Sequence, residues 1–321
     1  MSTFAPDRHP MPSYDRYPSL SVVIPARNEA RNLPHVFARL PHGVAEVILV
    51  DGGSVDGTAD VARELWPTVR VIEQTRTGKG NALACGFAAA TGDIVVMIDA
   101  DGSTDPQEIP SFVEALVSGA DFAKGTRFRY GGGSDDITPL RRWGNRALNG
   151  IVNALFGTRF TDLCYGYNAF WRDLVPAMEL PHPASTPPPK GKLWGDGFEI
   201  ETLINIRMAA AGYQVREVPS IEYLRIHGES NLHTFRDGSR VLRTILSEFR
   251  RARRGRHQDS GLANHAAHAA SGPAAPATGQ VRVSLPRPAP TPVAATLHHA
   301  GAAPLGQRDH GGQDTWTEEV R

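Results

Sequence analysis

Ile94-Val95-Val96-Met97-Ile98-Asp99-Ala100-Asp101 is five consecutive apolar residues running straight into two carboxylates one residue apart. An apolar run of that length, β-branched at its first three positions, predicts a strand buried on both faces, as in a parallel sheet. Where such a strand ends the chain leaves the core, and Asp99 and Asp101 are the first charged groups it presents. Two carboxylates so placed can aim at one hard divalent cation, Mg²⁺ or Mn²⁺, which takes oxygen ligands and keeps positions for substrate phosphates. Taken alone, Asp-x-Asp reads as a turn with two solvated acids. The neighbouring segments favour the metal.

Three similar runs precede it: Ser21-Val22-Val23-Ile24 before Pro25, Val47-Ile48-Leu49-Val50, and Val69-Arg70-Val71-Ile72. Helical patterns separate them, from the capping residue Asn28 to Leu40, from Asp56-Gly57-Thr58 to about Trp66, and from Asn81 to Ala90 before Thr91-Gly92. A further helix pattern covers Pro106 to Val117, and a strand Asp121 to Lys124. The alternation predicts an α/β protein with a mostly parallel twisted sheet and helices on both faces. Ligands of such sheets bind beyond the carboxyl ends of the strands. Four polar segments fall there: Pro25-Ala26-Arg27-Asn28-Glu29, Asp51-Gly52-Gly53-Ser54, Gly78-Lys79-Gly80, and Asp99-Ala100-Asp101-Gly102-Ser103. Two other phosphate sites are excluded on residues. Gly78-Lys79-Gly80 lacks the hydroxyl residue of a P-loop, and position 83 is Leu where a dinucleotide fingerprint after the first strand would need Gly.

Composition narrows the class. Lys and Arg number 34, as do Asp and Glu, so no basic excess points to nucleic acid. The two cysteines, Cys85 and Cys164, match neither a disulfide scaffold nor a zinc site. No apolar run is long enough to cross a membrane and Met1 to Pro18 has no signal-peptide core, so the expected location is the cytoplasm. Residues 1–18 read as a flexible arm, 19–254 as the folded domain, and 255–321, rich in Ala, Pro, Gly and His, as a disordered tail. Six of the twelve histidines lie in that tail at irregular spacing, which favours a solvated segment over a metal site.

Ser21-Val22-Val23-Ile24-Pro25 with Asn28-Glu29, Val50-Asp51-Gly52-Gly53-Ser54 with Asp56-Gly57-Thr58, Gly78-Lys79-Gly80, and Asp99-Ala100-Asp101 together resemble a family 2 glycosyltransferase. Within the family they are similar to the dolichol-phosphate mannosyltransferase and glucosyltransferase group, which acts on polyprenyl phosphates. The likeness continues through Gly125-Thr126-Arg127-Phe128, Arg141-Arg142, Asn145, Asn149, Asp162, Gly166-Tyr167-Asn168-Ala169-Phe170, Gly197-Phe198-Glu199-Ile200-Glu201, Val215 to Pro219, and Arg225 with Gly228-Glu229-Ser230-Asn231-Leu232. It spans about Ser19 to Glu248. This chain has Gly52 where a second acid is frequent, Ser103 where Gln or His is, and Asn168 where Arg is.

The resemblance implies a GT-A-type nucleotide-sugar-binding fold, with residues 19–125 as the donor half and 126–254 as the acceptor half. It implies an inverting transfer from a GDP- or UDP-linked sugar, with Mg²⁺ or Mn²⁺ held by Asp99 and Asp101, and Ser103 at the third position. Donor contacts are expected from Pro25, Ala26, Arg27, Glu29, Asp51, Lys79 and Ala100. Glu29 also reads as a helix N-terminal acid, and Lys79 as a free surface lysine. Arg127 and one of Arg141 or Arg142 are expected on the donor diphosphate or an acceptor phosphate. A polyprenyl phosphate is the expected acceptor and needs no base. A hydroxyl acceptor would need one, and Asp162, Asp196 and Glu199 are the acids available. Two rival readings are a transferase acting on a soluble or glycan hydroxyl and a non-catalytic nucleotide-sugar-binding scaffold. The stretch Thr234 to Arg254 predicts a basic amphipathic helix able to lie on an anionic membrane, or else packed on the domain. Pro181 to Gly195 reads as a mobile loop over the acceptor site.

Overall fold

The computed structural model describes residues 17–187, 189, 192–228 and 238–254. All of these belong to one unit, Met1–Ala270. The arm up to residue 16, the tail from residue 255, and Glu229 to Leu232 lie outside the described residues.

The predicted alternation forms. Strands β1 (Leu20–Ala26), β2 (Glu46–Asp51), β3 (Arg70–Glu73) and β4 (Ile94–Met97) are separated by helices α1 (Leu33–Phe37), α2 (Thr58–Leu65) and α3 (Lys79–Ala89). Then come α4 (Ile109–Val117), β5 (Phe122–Thr126), the short β6 (Gly133–Ser134), α5 (Pro139–Phe156) and β7 (Asn168–Trp171). Helix α6 (Ile200–Ala210), β8 (Val215–Pro219) and the short β9 (Ile221–Glu222) follow, and a last helix, α7, covers residues 238–254. The seven-stranded sheet has the order β3-β2-β1-β4-β7-β5-β8. All neighbours are parallel except β7, which runs antiparallel between β4 and β5. Asn168 in β7 is therefore wholly buried inside the sheet.

Strand alternation divides the core in two. Val22 and Ile24 of β1 face one way, with Leu33 and Phe37 of α1, Ala62 of α2 and Phe112 of α4. Val23 faces the other way, with Leu83 and Phe87 of α3 and Ile200 and Ile204 of α6. Both faces are covered, as continuous apolar strands require. The carboxyl ends of β1, β2 and β4 share one edge.

Two local expectations change. The helix expected from Asn28 to Leu40 is confined to Leu33–Phe37. Asn28 adopts a left-handed conformation (φ 57°). Its Oδ1 accepts from Val55 N, and its own N–H donates to Ser54 Oγ, so it ties the first strand-end loop to the second instead of capping a helix. Part of the apolar stripe of α7 packs within the domain. Ile245 is wholly buried among Val152, Phe160, Leu163 and Ile206, and Phe249 meets Phe156 edge-on at 5.7 Å. Leu242 and Leu246 of the same helix stay exposed.

Candidate active site

Asp99 and Asp101 leave β4 into a cavity of about 270 Å³, where Lys79, Ser103, Arg127, Arg141, Glu201 and Glu222 join them. Each acid of the pair faces its own cation. Lys79 Nζ lies 2.6 Å from Asp99 Oδ1 and 2.5 Å from Glu201 Oε1. Arg225 Nη2 lies 3.1 Å from Asp101 Oδ2 and 3.2 Å from Glu29 Oε1. Lys79 is thus an interior cation rather than a free surface lysine. When ionised, these four carboxylates share two cations, which leaves an excess of two negative charges.

The titration directions follow from that crowding. Burial would lower Lys79, but Asp99 and Glu201 hold its pKa above the ordinary lysine range. Glu201 is raised, first by burial and then by Asp99, although Lys79 opposes this. Glu29 is raised chiefly by burial, with Asp101 and Asp99 adding to it. Burial pushes Asp101 up, but its hydrogen bonds from Ser103 and the nearby Arg225 and Lys79 bring it below the ordinary range.

Arg127 forms the opposite wall. Its Nε and Nη2 meet Asp162 at 2.7 and 2.9 Å, its Nη1 meets Glu222 Oε2 at 2.9 Å, and its guanidinium lies 5.0 Å from the Tyr165 ring centre. Asp162 is wholly buried and also accepts from Asn145 Nδ2 at 3.0 Å. Asp162, one of the acids available had the acceptor been a hydroxyl, is saturated by a forked guanidinium and closed to solvent, which suits it to position Arg127. Asp196 and Glu199, the other two available acids, are engaged as well. Asp196 pairs with buried Arg76 at 2.8 Å through both oxygens, and Glu199 accepts the N–H groups of Gly195 and Gly197. Between the two candidate arginines of α5, Arg141 lines the cavity and pairs with Asp136 at 3.0 Å. Arg142 is exposed and stacks on Phe128, so its expected acceptor contact is also corrected.

The remaining donor candidates stand at the neighbouring strand ends, outside the cavity wall. Asp51 accepts from Ser54 N–H at 3.1 Å, and Gly52 N–H donates to Ala26 O at 2.8 Å. Pro25 is half-buried beside Ala26, and Arg27 is exposed. Glu29 reaches the acid pair through Arg225, and its carbonyl accepts from Asn32 and Leu33. None of the described residues of the Pro181 to Gly195 stretch lines the cavity that holds Arg127. Among its described residues, the carbonyls of His182, Pro183 and Ser185 accept from Arg76, which straps the stretch to the end of β3.

That strap depends on two glycines at the start of α3. Gly80 N–H donates to Asp196 O, and a Cβ on Gly80 would stand 1.8 Å from Gly195 O. Gly78 holds φ 135°, which side chains other than hydrogen disfavour. Gly80→Ala is expected to cost about 2 kcal/mol by overpacking, a fall in Tm of about 5 °C. Calorimetry would check it, and an unchanged Tm would mean the strap is loose in solution.

The sequence matches Glycosyl transferase family 2 over residues 21–177. It is 30% identical to the dolichyl-phosphate hexose transferase of Haloferax volcanii, over 72% of this chain and 93% of that protein. It is 32% identical to the undecaprenyl-phosphate mannosyltransferase of Micrococcus luteus, over 65% of this chain and 86% of that protein. The chain belongs to glycosyltransferase family 2. Its GT-A fold is similar to that of glucosyl-3-phosphoglycerate synthase from Mycobacterium tuberculosis, crystallised with Mn²⁺, UDP and glucosyl-3-phosphoglycerate. That likeness has a TM-score of 0.54 at 26% identity, over 72% of this chain and 79% of the other.

The donor set of this glycosyltransferase fits a divalent ion of the kind such neighbours carry. Among the described residues no group of three or more His, Cys, Asp or Glu side chains is placed to hold a metal by itself. Asp99 and Asp101 offer two oxygen donors at one cavity, and Mg²⁺-type ions use one or two carboxylates and complete their shell with water and substrate phosphate. The local excess of two negative charges matches such an ion. Ser103 lines the same wall, with its N–H on Asp101 Oδ1 at 3.0 Å.

Sequence reasoning missed Glu201 and Glu222 as cavity residues. Glu201 sat in a quoted motif, but Glu199 drew attention there. The helical start at Ile200 is what turns Glu201 towards Lys79. Glu222 gave no local signal. Cys164, also in the cavity wall, has its pKa pushed up to about 12 by burial, with Asp162 adding to the shift. The thiolate is the reactive form, so Cys164 is expected to resist iodoacetamide at pH 8. Fast labelling of Cys164, read by peptide mass, would contradict that environment.

Proposed function

We propose that this glycosyltransferase moves a sugar, with inversion, from a GDP- or UDP-linked donor to a polyprenyl phosphate. One observation carries the acceptor: every carboxylate lining the cavity, Asp99, Asp101, Glu201 and Glu222, is paired with a lysine or arginine. A phosphate arrives ionised and needs no base, whereas a hydroxyl does. The acceptor phosphate oxygen attacks the anomeric carbon from the face opposite the diphosphate. The C1–O bond to the diphosphate breaks, and the nucleoside diphosphate leaves with that electron pair.

Residues 19–125 serve the donor and 126–254 the acceptor. Pro25, Ala26, Arg27, Glu29 and Asp51 receive the nucleoside. Asp99, Asp101 and Ser103 hold Mg²⁺ or Mn²⁺, which supplies charge neutralisation to the leaving diphosphate when bound. Ala100 brings backbone to the same place, and Lys79 and Arg225 add fixed positive charge. Arg141 takes the acceptor phosphate through its planar fork, and Arg127, whose fork is on Asp162, adds positive charge beside it. Asn145 lines the same cavity and donates to Asp162 behind Arg127. The protein works at the inner face of the cell membrane. Among the described residues no helix is long and apolar enough to cross it.

A second reading has its own support. Glu201 combines cavity placement with a raised pKa, which suits a base for a soluble hydroxyl acceptor, and the structural neighbour was crystallised with such a product. The experiment is a transfer assay with labelled GDP-mannose and UDP-glucose, against undecaprenyl phosphate and against phosphoglycerate. Label in the organic phase supports the lipid phosphate. Label only on the soluble acceptor would replace that reading by the second one.

A further inference from the structure

A second cavity, of about 540 Å³, lies beside β8 and has twice the volume of the active-site cavity. The two share no lining residue. β8 is the last strand of the sheet, so among the described residues its outer edge has no strand partner. Arg129 covers part of that edge, with Nη1 donating to Glu217 O at 3.3 Å. The transfer step uses none of the residues around this cavity.

Its charge is one-sided. Arg129 comes from the segment after β5, Arg159 from the turn after α5, and Arg216 from β8 itself. Glu217 is the one carboxylate among the described residues of the wall, which leaves an excess of two positive charges. It does little to cancel them. Its side chain is 6% exposed and accepts the N–H of Thr161 at 2.7 Å, the Thr161 hydroxyl at 2.8 Å and the N–H of Asp162 at 3.3 Å. Arg129 Nε comes no closer to it than 3.7 Å. Arg216 donates to two carbonyls, Ala115 O and Ser118 O, both at 3.3 Å. Arg159 is exposed and has no hydrogen bond or ion pair among the described residues. Guanidiniums scattered over a convex surface are satisfied by water, whereas three from separate segments around one hollow focus their field into it.

The wall between the arginines is not polar. Phe156 and Tyr213, both half-buried, line it. An apolar wall with a few charged groups is the make-up of small-molecule pockets, which run to roughly 300–1,000 Å³. Guanidinium forks match phosphate oxygens. A doubly charged phosphate also matches the charge excess, and a flat ring attached to it has Phe156 and Tyr213 to lie against. We infer that this cavity binds a phosphate-bearing small molecule with an aromatic body, through Arg129, Arg159 and Arg216. The inference stands apart from the acceptor reading. The cavity is nevertheless built on the turn that serves the active site, since Glu217 holds Thr161 and Asp162, and Asp162 holds Arg127.

Calorimetric titration of the full chain with AMP, without divalent ion, tests the cavity apart from transfer. AMP is expected to bind about tenfold more tightly than inorganic phosphate, because of its ring, and added salt to weaken both. Arg159→Gln is expected to lower AMP affinity about tenfold, the loss of one charged hydrogen bond. Its Tm should stay at the parent value, since Arg159 has no partner to lose. Arg129→Gln should weaken AMP to a similar degree. Arg141→Gln, in the other cavity, should leave AMP binding unchanged. Failure of AMP to bind the wild type would overturn the site. So would binding that survives Arg159→Gln and Arg129→Gln but is lost in Arg141→Gln, which would put the nucleotide in the active site. Equal affinity for AMP and phosphate would remove the aromatic body from the assignment. Displacement of AMP by phosphatidic acid vesicles, through the same arginines, would give the cavity to a lipid headgroup and overturn the soluble ligand.

Discussion

Asp101→Ala is expected to lower sugar transfer about a thousandfold, close to 4 kcal/mol of transition-state stabilisation. The charge that develops on the leaving diphosphate has to be met where it forms, and metal neutralisation contributes several kcal/mol to such steps. Asp101 is the less exposed of the pair, and its hydrogen bonds from Ser103 and the nearby Arg225 and Lys79 hold its pKa below the ordinary range despite burial. Removing it takes away one of two carboxylate donors and half of the local excess negative charge. The fold should barely notice. Arg225 keeps Glu29 as its partner at 3.2 Å, so no cation is stranded. The expected signature is therefore a normal Tm, nucleotide binding retained, and a Mn²⁺-dependent thermal shift lost. Asp101→Asn should behave alike, because it preserves shape but not charge. More than a tenth of wild-type transfer in either variant would mean that Lys79 and Arg225 neutralise the diphosphate by themselves. The scaffold reading requires the wild type itself to transfer no sugar while still binding nucleotide.

The acid pair was legible because a buried strand has to end somewhere, and the first polar residues after Ile98 fall on the ligand edge of a parallel sheet. The same logic placed Lys79 and the Asp51 turn. Local pattern could not show which charges meet. Arg225 lies 124 positions from Asp101 and reaches it only because the chain after β9 returns across the end of β4. Asp162 shows the opposite failure. Its motif resemblance marked it as important, and a carboxylate in an acceptor half reads as a base. What decides its role is a distant guanidinium that consumes both its oxygens. The Arg141/Arg142 ambiguity was of the same kind. Adjacent helix residues point about 100° apart, so one must face the cavity and the other away, and sequence gives the separation without the phase. The antiparallel β7 was hidden too, since Asn168 to Trp171 looks like any short apolar strand until its neighbours are known.

Arg127→Ala is expected to be the most destabilising single change at the site, at about 3–5 kcal/mol, because it leaves a buried carboxylate without its cation. Asp162 is wholly buried, and Glu222 also loses a partner. Burial would drive the Asp162 pKa up, yet the Arg127 pair and hydrogen bonds hold it below the ordinary range. The sign of the pH dependence follows. A group whose pKa is depressed on folding contributes stability that is complete above its unfolded value and is lost as pH falls through the folded one. Wild-type urea midpoints should thus hold from neutrality down to about pH 4 and then drop. In Arg127→Ala the burial of Asp162 is uncompensated, its pKa rises above the unfolded value, and the slope reverses: acidification from neutrality should recover part of the lost stability. Arg127→Lys restores charge but not the fork, and should recover less than half of the loss. Arg127→Ala/Asp162→Ala should be more stable than the sum of the single changes predicts, by about 2 kcal/mol, the mark of two groups in contact. Additive losses in that cycle would show that Arg127 is held by the Tyr165 face and Glu222 rather than by Asp162. The positioning role of Asp162 would then fall, while Arg127 would remain the cation facing the acceptor.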